Sequence, residues 1–148
     1  MDLFIKTLAA AVGTVAFSLL FGVPGRYYPF CGLIGGAGWL CLCALEAAGL
    51  SATEATFLAT VAVILLSRLF AVLERCPSTV FLVSGIFPLV PGAGIYWTAY
   101  HLVMNDPAAA MSSGFAALKT AIAIVLGIVF VFEIPNGAFS WMARRKQK

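Results

Sequence analysis

Charged residues are scarce in this sequence: nine Lys and Arg and six Asp and Glu among 148 residues, or 10% in all. A soluble domain of this size carries roughly a quarter of its residues as charges, because its surface faces water. The shortage of charge therefore excludes a water-soluble enzyme domain and a disordered chain. The net charge of +3 is too small to indicate a nucleic-acid partner. The lipid bilayer is the predicted solvent of the chain.

Histidine and cysteine are scarce as well, with one and four copies. The cysteines show no CxxC spacing, which argues against a disulfide-stapled module and against a common metal motif. Cys41 and Cys43 are two residues apart, about 200° around a helix, so they cannot ligate one metal together. No catalytic motif such as GxSxG or HExxH is present. We predict no metal site, no cofactor and no enzyme, and interpret the cysteines as small apolar fillers.

Long apolar runs make up most of the sequence, with 62% hydrophobic residues and a mean hydropathy of +1.03. A bilayer core about 30 Å thick needs roughly 20 apolar residues of helix. Five stretches qualify, which predicts an all-α integral membrane protein: a five-helix transmembrane bundle, built as a single domain over residues 1–148. The predicted helices cover residues 3–23, 31–50, 52–73, 78–104 and 111–132.

Two local sequence signals indicate that the first helix is retained and show where the third helix begins. The first run is longer than the apolar region of a signal peptide, and no small-x-small cleavage site precedes Arg26. We therefore expect the first helix to be retained. Ser51 followed by Glu54 is the pattern of a capping box, which predicts the start of the third helix.

The basic residues flanking the helices predict an orientation in the cell membrane, because cytoplasmic loops carry an excess of Lys and Arg. With five crossings, the side that holds the N-terminus has only Lys6. The opposite side has Arg26, Arg68, Arg75, Arg144, Arg145, Lys146 and Lys148. This places the C-terminus, with its basic tail over residues 142–148, in the cytoplasm. A four-crossing alternative with one re-entrant segment would put both ends inside.

The fourth apolar run is interrupted near its centre, over residues 88–94. Pro88 and Pro91 each lack a backbone N–H, and Gly92 and Gly94 add backbone freedom. We interpret Pro91 as the first turn of a second half-helix, which leaves the N–H groups of Gly92, Ala93 and Gly94 free. Transporters use such half-helix ends to hold anionic substrate groups. The alternative is a proline kink that only bends the helix.

Polar residues after the break are further candidates. Tyr96 and Tyr100 lie on one helical face with Gly92, and their hydroxyls could contact a substrate; the alternative is an aromatic belt at the membrane edge. His101 is a candidate proton relay, although at the rim it could simply be solvated. Glu46, near the end of the second helix, is a candidate for ion coupling or for pairing with a basic residue.

Two basic residues and a glycine pair within the apolar runs have simpler interpretations. Arg68 and Lys119 have long stems, so we expect both to snorkel to the membrane interface. Gly32 and Gly36 form a GxxxG pair, which predicts close packing of the second helix on a neighbour in this chain or in another subunit. These glycines do not form a phosphate loop, because no strand precedes them.

Several of these segments together resemble the threonine/serine exporter family, in particular its small, stand-alone C-terminal-half subunit. The resemblance rests on a Cys-Gly…Gly-Ala-Gly stretch in the second helix, on residues 76–81, and on residues 86–92 followed by Tyr96. It implies export of small carboxylated metabolites, either threonine and serine or a dicarboxylate such as succinate. It also implies a larger membrane subunit as partner. The positions that match the family motif are Pro88, Pro91, Gly92 and Tyr96.

Two hypotheses from different classes follow from the sequence. The first is one half of a secondary exporter for a small amino acid or dicarboxylate. The second is an assembly subunit that stabilises a larger membrane partner without touching substrate. The broken fourth helix favours the exporter, because an assembly subunit has little reason for a backbone break in its middle. An intramembrane enzyme would need a clustered polar triad, which the sequence does not contain.

Overall fold

The computed structural model describes residues 2–134, and this range consists of helices joined by short turns, without a strand. Two 3₁₀ turns, Gly25–Tyr27 and Phe87–Leu89, separate some of the α-helices. The helices are α1 Asp2–Leu20, α2 Tyr28–Ala47, α3 Ala52–Glu74, α4 Thr79–Gly85, α5 Gly92–Val103 and α6 Pro107–Phe132. The predicted basic tail at 142–148 lies outside the described residues.

Four of these helices are each long and apolar enough to cross a membrane: α1, α2 together with its preceding turn, α3 and α6. The fifth candidate is a bent pair, Thr79–Leu89 and Gly92–Val103, whose axes differ by 49°. The predicted fold class is confirmed: an all-α membrane bundle in which one spanning unit is discontinuous.

Glycine and proline set the helix ends, and they shift several predicted boundaries. Helix α1 ends at Leu20 rather than at residue 23, because Gly22 adopts a left-handed conformation with φ 67°. Helix α2 begins three residues early, at Tyr28, because Pro29 fits the first turn of a helix. The same helix ends at Ala47, just before Gly49 with φ 92°.

Side-chain caps begin α3 and α6. The predicted capping box is confirmed: Glu54 N–H donates to Ser51 Oγ, and Ser51 N–H donates to Glu54 Oε2 at 3.0 Å. Helix α6 begins at Pro107, four residues before the predicted start. Asp106 is its N-cap, and the carboxylate accepts the N–H of Ala109 at 3.1 Å.

The first two helices are packed antiparallel through glycines. A Cβ added at Gly32 would lie 3.0 Å from the side chain of Val15, and one at Gly36 would lie 3.4 Å from Ala11. The predicted close packing is thus confirmed, and the neighbour is α1 of the same chain. The contact of α1 with α2 is closer still at Gly35, where an added Cβ would lie 2.7 Å from the Cβ of Thr14.

The apolar core lies where α2, α3 and α4 meet. Phe81 of α4 is fully buried, and the ring of Tyr27 meets it edge-on at 5.4 Å between centroids. The rings of Phe30 and Phe70 lie 6.2 and 6.3 Å from it. These aromatic contacts hold α4, which has only seven residues, against two full-length helices.

Helices α3 and α6 run parallel. Near the first half of α3, Thr60 packs against Gly127; farther along both helices, Arg68 reaches the carbonyl of Val131 at 2.6 Å. If α3 and α6 both cross the membrane in the same direction, the chain between them must return to the starting side. In that case the bent pair α4–α5 would be the returning span, as the five-crossing prediction requires.

Helix α5 stands apart from the rest of the bundle. It packs against α6 and makes no extended contact with any other described helix, and none of its residues is buried. Thr98 of α5 lies against Gly114 of α6, and Gly94 lies against Ala117. The described residues therefore leave the outer face of α5 open.

Candidate functional site

The break between α4 and α5 is a short run of non-helical backbone. After the 3₁₀ turn Phe87–Leu89, Val90 is extended and Pro91 has φ −75° and ψ 54°. This is the geometry of an inverse γ-turn, and it closes a hydrogen bond of 2.7 Å from Gly92 N–H to Val90 C=O. Two expectations are corrected: Pro91 is the N-cap residue and not part of the first turn, and the N–H of Gly92 is not free.

The next two backbone N–H groups have no partner among the described residues. They belong to Ala93 and Gly94, in the first turn of α5, and the positive end of the helix dipole lies there. Gly92 and Ala93 are exposed, and a Cβ added at Gly92 would meet nothing within 4 Å. Gly94 instead faces α6, where an added Cβ would lie 3.0 Å from the Cβ of Ala117.

The two prolines of the break have different surroundings. Pro88 lines a small cavity of about 100 Å³ against α1, together with Gly13 and Thr14. Phe87, beside it, stacks on Phe17 of α1. Pro91 instead lines the groove between α5 and α6. The structure therefore brings Pro91 next to the open first turn of α5, while Pro88 anchors the preceding turn to α1.

The aromatic residues of α5 form a continuous surface. The rings of Tyr96 and Tyr100 are stacked at 6.4 Å between centroids, as expected for one helical face. Trp97 meets Tyr96 and Tyr100 edge-on at 5.3 and 5.5 Å, and His101 lies 6.0 Å from Trp97. Tyr96 is 61% exposed and lies one turn beyond Gly92. This cluster continues the open face that begins at the break.

Glu46 lies on the exposed side of α2, near its C-terminal end. It forms no ion pair within the described residues. Lys6 lies near the N-terminal end of α1, and this end meets the C-terminal part of α2 in the antiparallel pair.

The four cysteines are free thiols, and Cys31 is fully buried in the core. Burial raises the pKa of the Cys76 thiol, which lies between α3 and α4, so this thiol is protonated at neutral pH. Within residues 2–134, no three side chains of the types that ligate metals are grouped to hold an ion.

Comparison with known proteins decides the family. A family model described as "Threonine/Serine exporter, ThrE" matches residues 6–134, which include every helix from the second turn of α1 onward and the whole break. The chain belongs to the threonine/serine exporter family. It is therefore a multi-pass transmembrane protein of a transport family.

A curated relative of this chain is a probable threonine/serine exporter of Mycobacterium tuberculosis. The two are 28% identical over 130 residues, which are 87% of this chain and 25% of the relative. The chain thus spans about a quarter of the length of that relative. No solved structure matches it.

Arg68 of α3 is buried against the C-terminal end of α6. Its side chain is 7% exposed, and its Nη1 donates to the carbonyls of Val131 at 2.6 Å and Ile134 at 3.0 Å. The last carbonyls of a helix have no intrahelical partner, so a buried guanidinium satisfies them well. Sequence gave no direct signal for this contact, because it joins residues more than 60 positions apart.

Lys119 lies farther along its helix than the sequence predicts. Because α6 begins at Pro107, Lys119 is the thirteenth of its 26 residues. It lies level with the N-terminal end of α3, since it lines a groove together with Leu50 and Glu54. Its ammonium lies 4.8 Å from the ring centroid of Phe115. Sequence placed this residue correctly on the helix but missed its central position.

Proposed function

We propose that this chain is one half of a secondary exporter for small carboxylated metabolites, either threonine and serine or a dicarboxylate such as succinate. The observation that carries the proposal is the family match over residues 6–134, which includes the broken helix. The relative from Mycobacterium tuberculosis is named a probable threonine/serine exporter, which supports the amino-acid substrates. The dicarboxylate is kept because the broken helix would hold any small carboxylate equally well.

A larger membrane subunit is the proposed partner. In lipid, non-helical backbone is tolerated only where protein or a water-filled cavity covers it. Val90, Gly92 and Ala93 are exposed, and within residues 2–134 only α6 packs extensively against α5. The relative carries the matching region in a chain about four times as long, so other parts of that protein are available to cover it. We therefore propose that the partner packs on the outer face of α5.

The proposed substrate site is the first turn of α5. The free N–H groups of Ala93 and Gly94 would donate to a substrate carboxylate at the positive end of the helix. Gly92 leaves room for the ligand, and Tyr96 offers a hydroxyl one turn away. Pro91 holds the turn that exposes these groups. The site would be completed by the partner, since this chain lines one side of it.

The supporting residues of this proposal lie outside the first turn of α5. Pro88 would position the break by anchoring it against α1. Glu46 and His101 remain proposed for ion coupling or proton relay, and neither has an ion-pair partner among the described residues that would already occupy it.

We further propose that the chain lies in the cell membrane with its C-terminus in the cytoplasm. One basic residue against seven on the two predicted sides supports this orientation. A fluorescent-protein fusion after Lys148 is expected to be bright, and an alkaline-phosphatase fusion at the same position inactive. The reverse pattern would contradict the proposed orientation, while fusions in the Leu50–Ser51 loop serve as the opposite-side control.

The competing function is an assembly subunit that stabilises a larger partner without touching substrate. A continuous α4–α5 helix would serve that purpose, so the unpaired N–H groups of the break favour transport. An enzyme is not proposed, because the family is one of transporters and the described residues present no nucleophile–base pair.

Efflux of labelled threonine, serine and succinate tests the proposal. Cells that contain this chain together with the larger subunit are expected to export at least one of the three at least tenfold faster than cells with either protein alone. Absence of subunit-dependent efflux of all three would refute the exporter proposal. If the larger subunit exports alone but accumulates only with this chain, the assembly function is correct instead.

A further inference from the structure

A groove of about 570 Å³ lies between α3 and α6, away from the face of α6 that packs on α5. The two helices touch where Thr60 meets Gly127, and the groove opens from there toward the N-terminal end of α3. Its walls are mostly apolar. The lining residues at the charged end include Thr53 and Glu54 from α3 and Lys119 from α6.

The ammonium of Lys119 has no carboxylate partner among the described residues. Its contact is with the ring of Phe115, at 4.8 Å from the ring centroid, while its neighbours along the groove are Ile122 and Leu126. A charge within an apolar membrane helix is costly unless it pairs with another charge or faces a water-filled path. Lys119 is exposed on the surface of this chain, so its ammonium is open to an anionic ligand in the groove.

A charge of the opposite sign faces the same groove from the other helix. Glu54 lies in the first turn of α3, with its carboxylate held by Ser51 through the capping box. Thr53, beside it, adds a hydroxyl. One small apolar groove thus presents an ammonium, a carboxylate and a hydroxyl group, which is complementary to a small hydroxylated amino acid in its zwitterionic form.

We propose that this groove is a second substrate position, separate from the first turn of α5, that binds a small zwitterionic amino acid. Lys119 pairs with the carboxylate of the ligand, and Glu54 pairs with its ammonium. The inference rests on the proposed exporter function and deepens it, because two opposite charges favour threonine or serine over a dicarboxylate. The groove opens beside the α2–α3 loop, on the predicted outer side, where an exported substrate would leave.

A binding test uses the chain together with its larger subunit in native membranes. With the four native cysteines replaced by alanine, Ile122→Cys places a thiol in the groove, and Leu33→Cys places a matched thiol on the exposed face of α2. Threonine at millimolar concentration is expected to slow maleimide labelling several-fold at position 122 and not at position 33. Adding Lys119→Gln is expected to raise the threonine concentration needed for protection at least tenfold.

Efflux measurements on single variants then distinguish the role of Glu54 from that of Lys119. Glu54→Gln keeps the capping box, since glutamine satisfies the same pattern, so a change in transport reports the lost charge. It is expected to reduce threonine and serine efflux at least tenfold and to leave succinate efflux unchanged. Lys119→Gln is expected to reduce efflux of every carboxylate that the wild-type complex exports.

The outcomes distinguish this inference from the exporter proposal. Threonine protection at position 122 without any efflux would uphold the groove and refute the exporter. Efflux without protection, protection that is unchanged by Lys119→Gln, or a thiol at 122 that never reacts would each overturn the groove. If Lys119→Gln instead releases the larger subunit on purification, Lys119 pairs with that subunit and the inference is wrong.

Discussion

Replacing Gly92 by valine is expected to abolish subunit-dependent efflux while the chain still inserts in the membrane. A Cβ at Gly92 meets nothing within 4 Å in this chain, so the substitution should not disturb the fold. The added methyl groups would, however, fill the space in front of the free N–H groups of Ala93 and Gly94. A carboxylate that hydrogen-bonds there would be displaced, and each lost charged hydrogen bond costs about 1.5–3 kcal/mol.

The measurement is efflux of the exported substrate, with membrane content determined on the same cells. Ala9→Val on α1 is the control, because Ala9 is exposed and does not line the cavity beside Pro88. Co-purification with the larger subunit shows whether Gly92→Val acts on the substrate or on assembly. Normal export by Gly92→Val would force the site at the first turn of α5 to be abandoned.

Replacing Gly35 by alanine is expected to destabilise the chain by about 1–3 kcal/mol, the range for overpacking in a close-packed interior. The new Cβ would lie 2.7 Å from the Cβ of Thr14, on a branched side chain that is itself buried. Thr14 cannot rotate away cheaply, since its hydroxyl donates to the carbonyl of Ala10 at 2.8 Å. Helices α1 and α2 must therefore separate to accept the methyl group.

The adjacent glycine provides the control. A Cβ at Gly36 would lie 3.4 Å from Ala11, an ordinary contact, so Gly36→Ala is expected to be neutral or slightly stabilising through its better helix propensity. Thermal unfolding of the purified chain in detergent, together with its level in membranes, measures both variants. Equal stability of the two variants would contradict the packing of α1 on α2 described above.

The positions of the helices and of the break could be predicted from the sequence, because they depend on local chemistry. Ser51 with Glu54, and the prolines and glycines of residues 88–94, act on the backbone within a few positions of themselves. The precise form of the break was not predictable. In the γ-turn at Pro91, the N–H of Gly92 donates to the carbonyl of Val90. This hydrogen bond depends on the ψ angle of Pro91, which the residue types do not determine.

The roles of the basic residues show where local reasoning fails. From sequence, Arg68 and Lys119 had the same explanation, because each has a long stem within an apolar run. In the structure, Arg68 closes the end of α6 by donating to Val131 and Ile134, whereas Lys119 faces a groove together with Glu54. The difference arises from which helix lies opposite each residue, which the sequence does not state.

By itself, the sequence determined that this protein is a helical membrane protein with a discontinuous fourth span, and it identified the family. Length, hydropathy and backbone chemistry suffice for the membrane helices and the break, because a bilayer demands long apolar helices and exposes any break in them. The family followed from the resemblance of the motifs around the break. Only the tertiary structure decided which faces pack together: Gly35 on Thr14, α6 parallel to α3 and, within the described residues, α5 mainly on α6. The physical reason is that lipid-facing and protein-facing surfaces of membrane helices are equally apolar, so the hydrophobic pattern that reveals the inside of a soluble protein is absent.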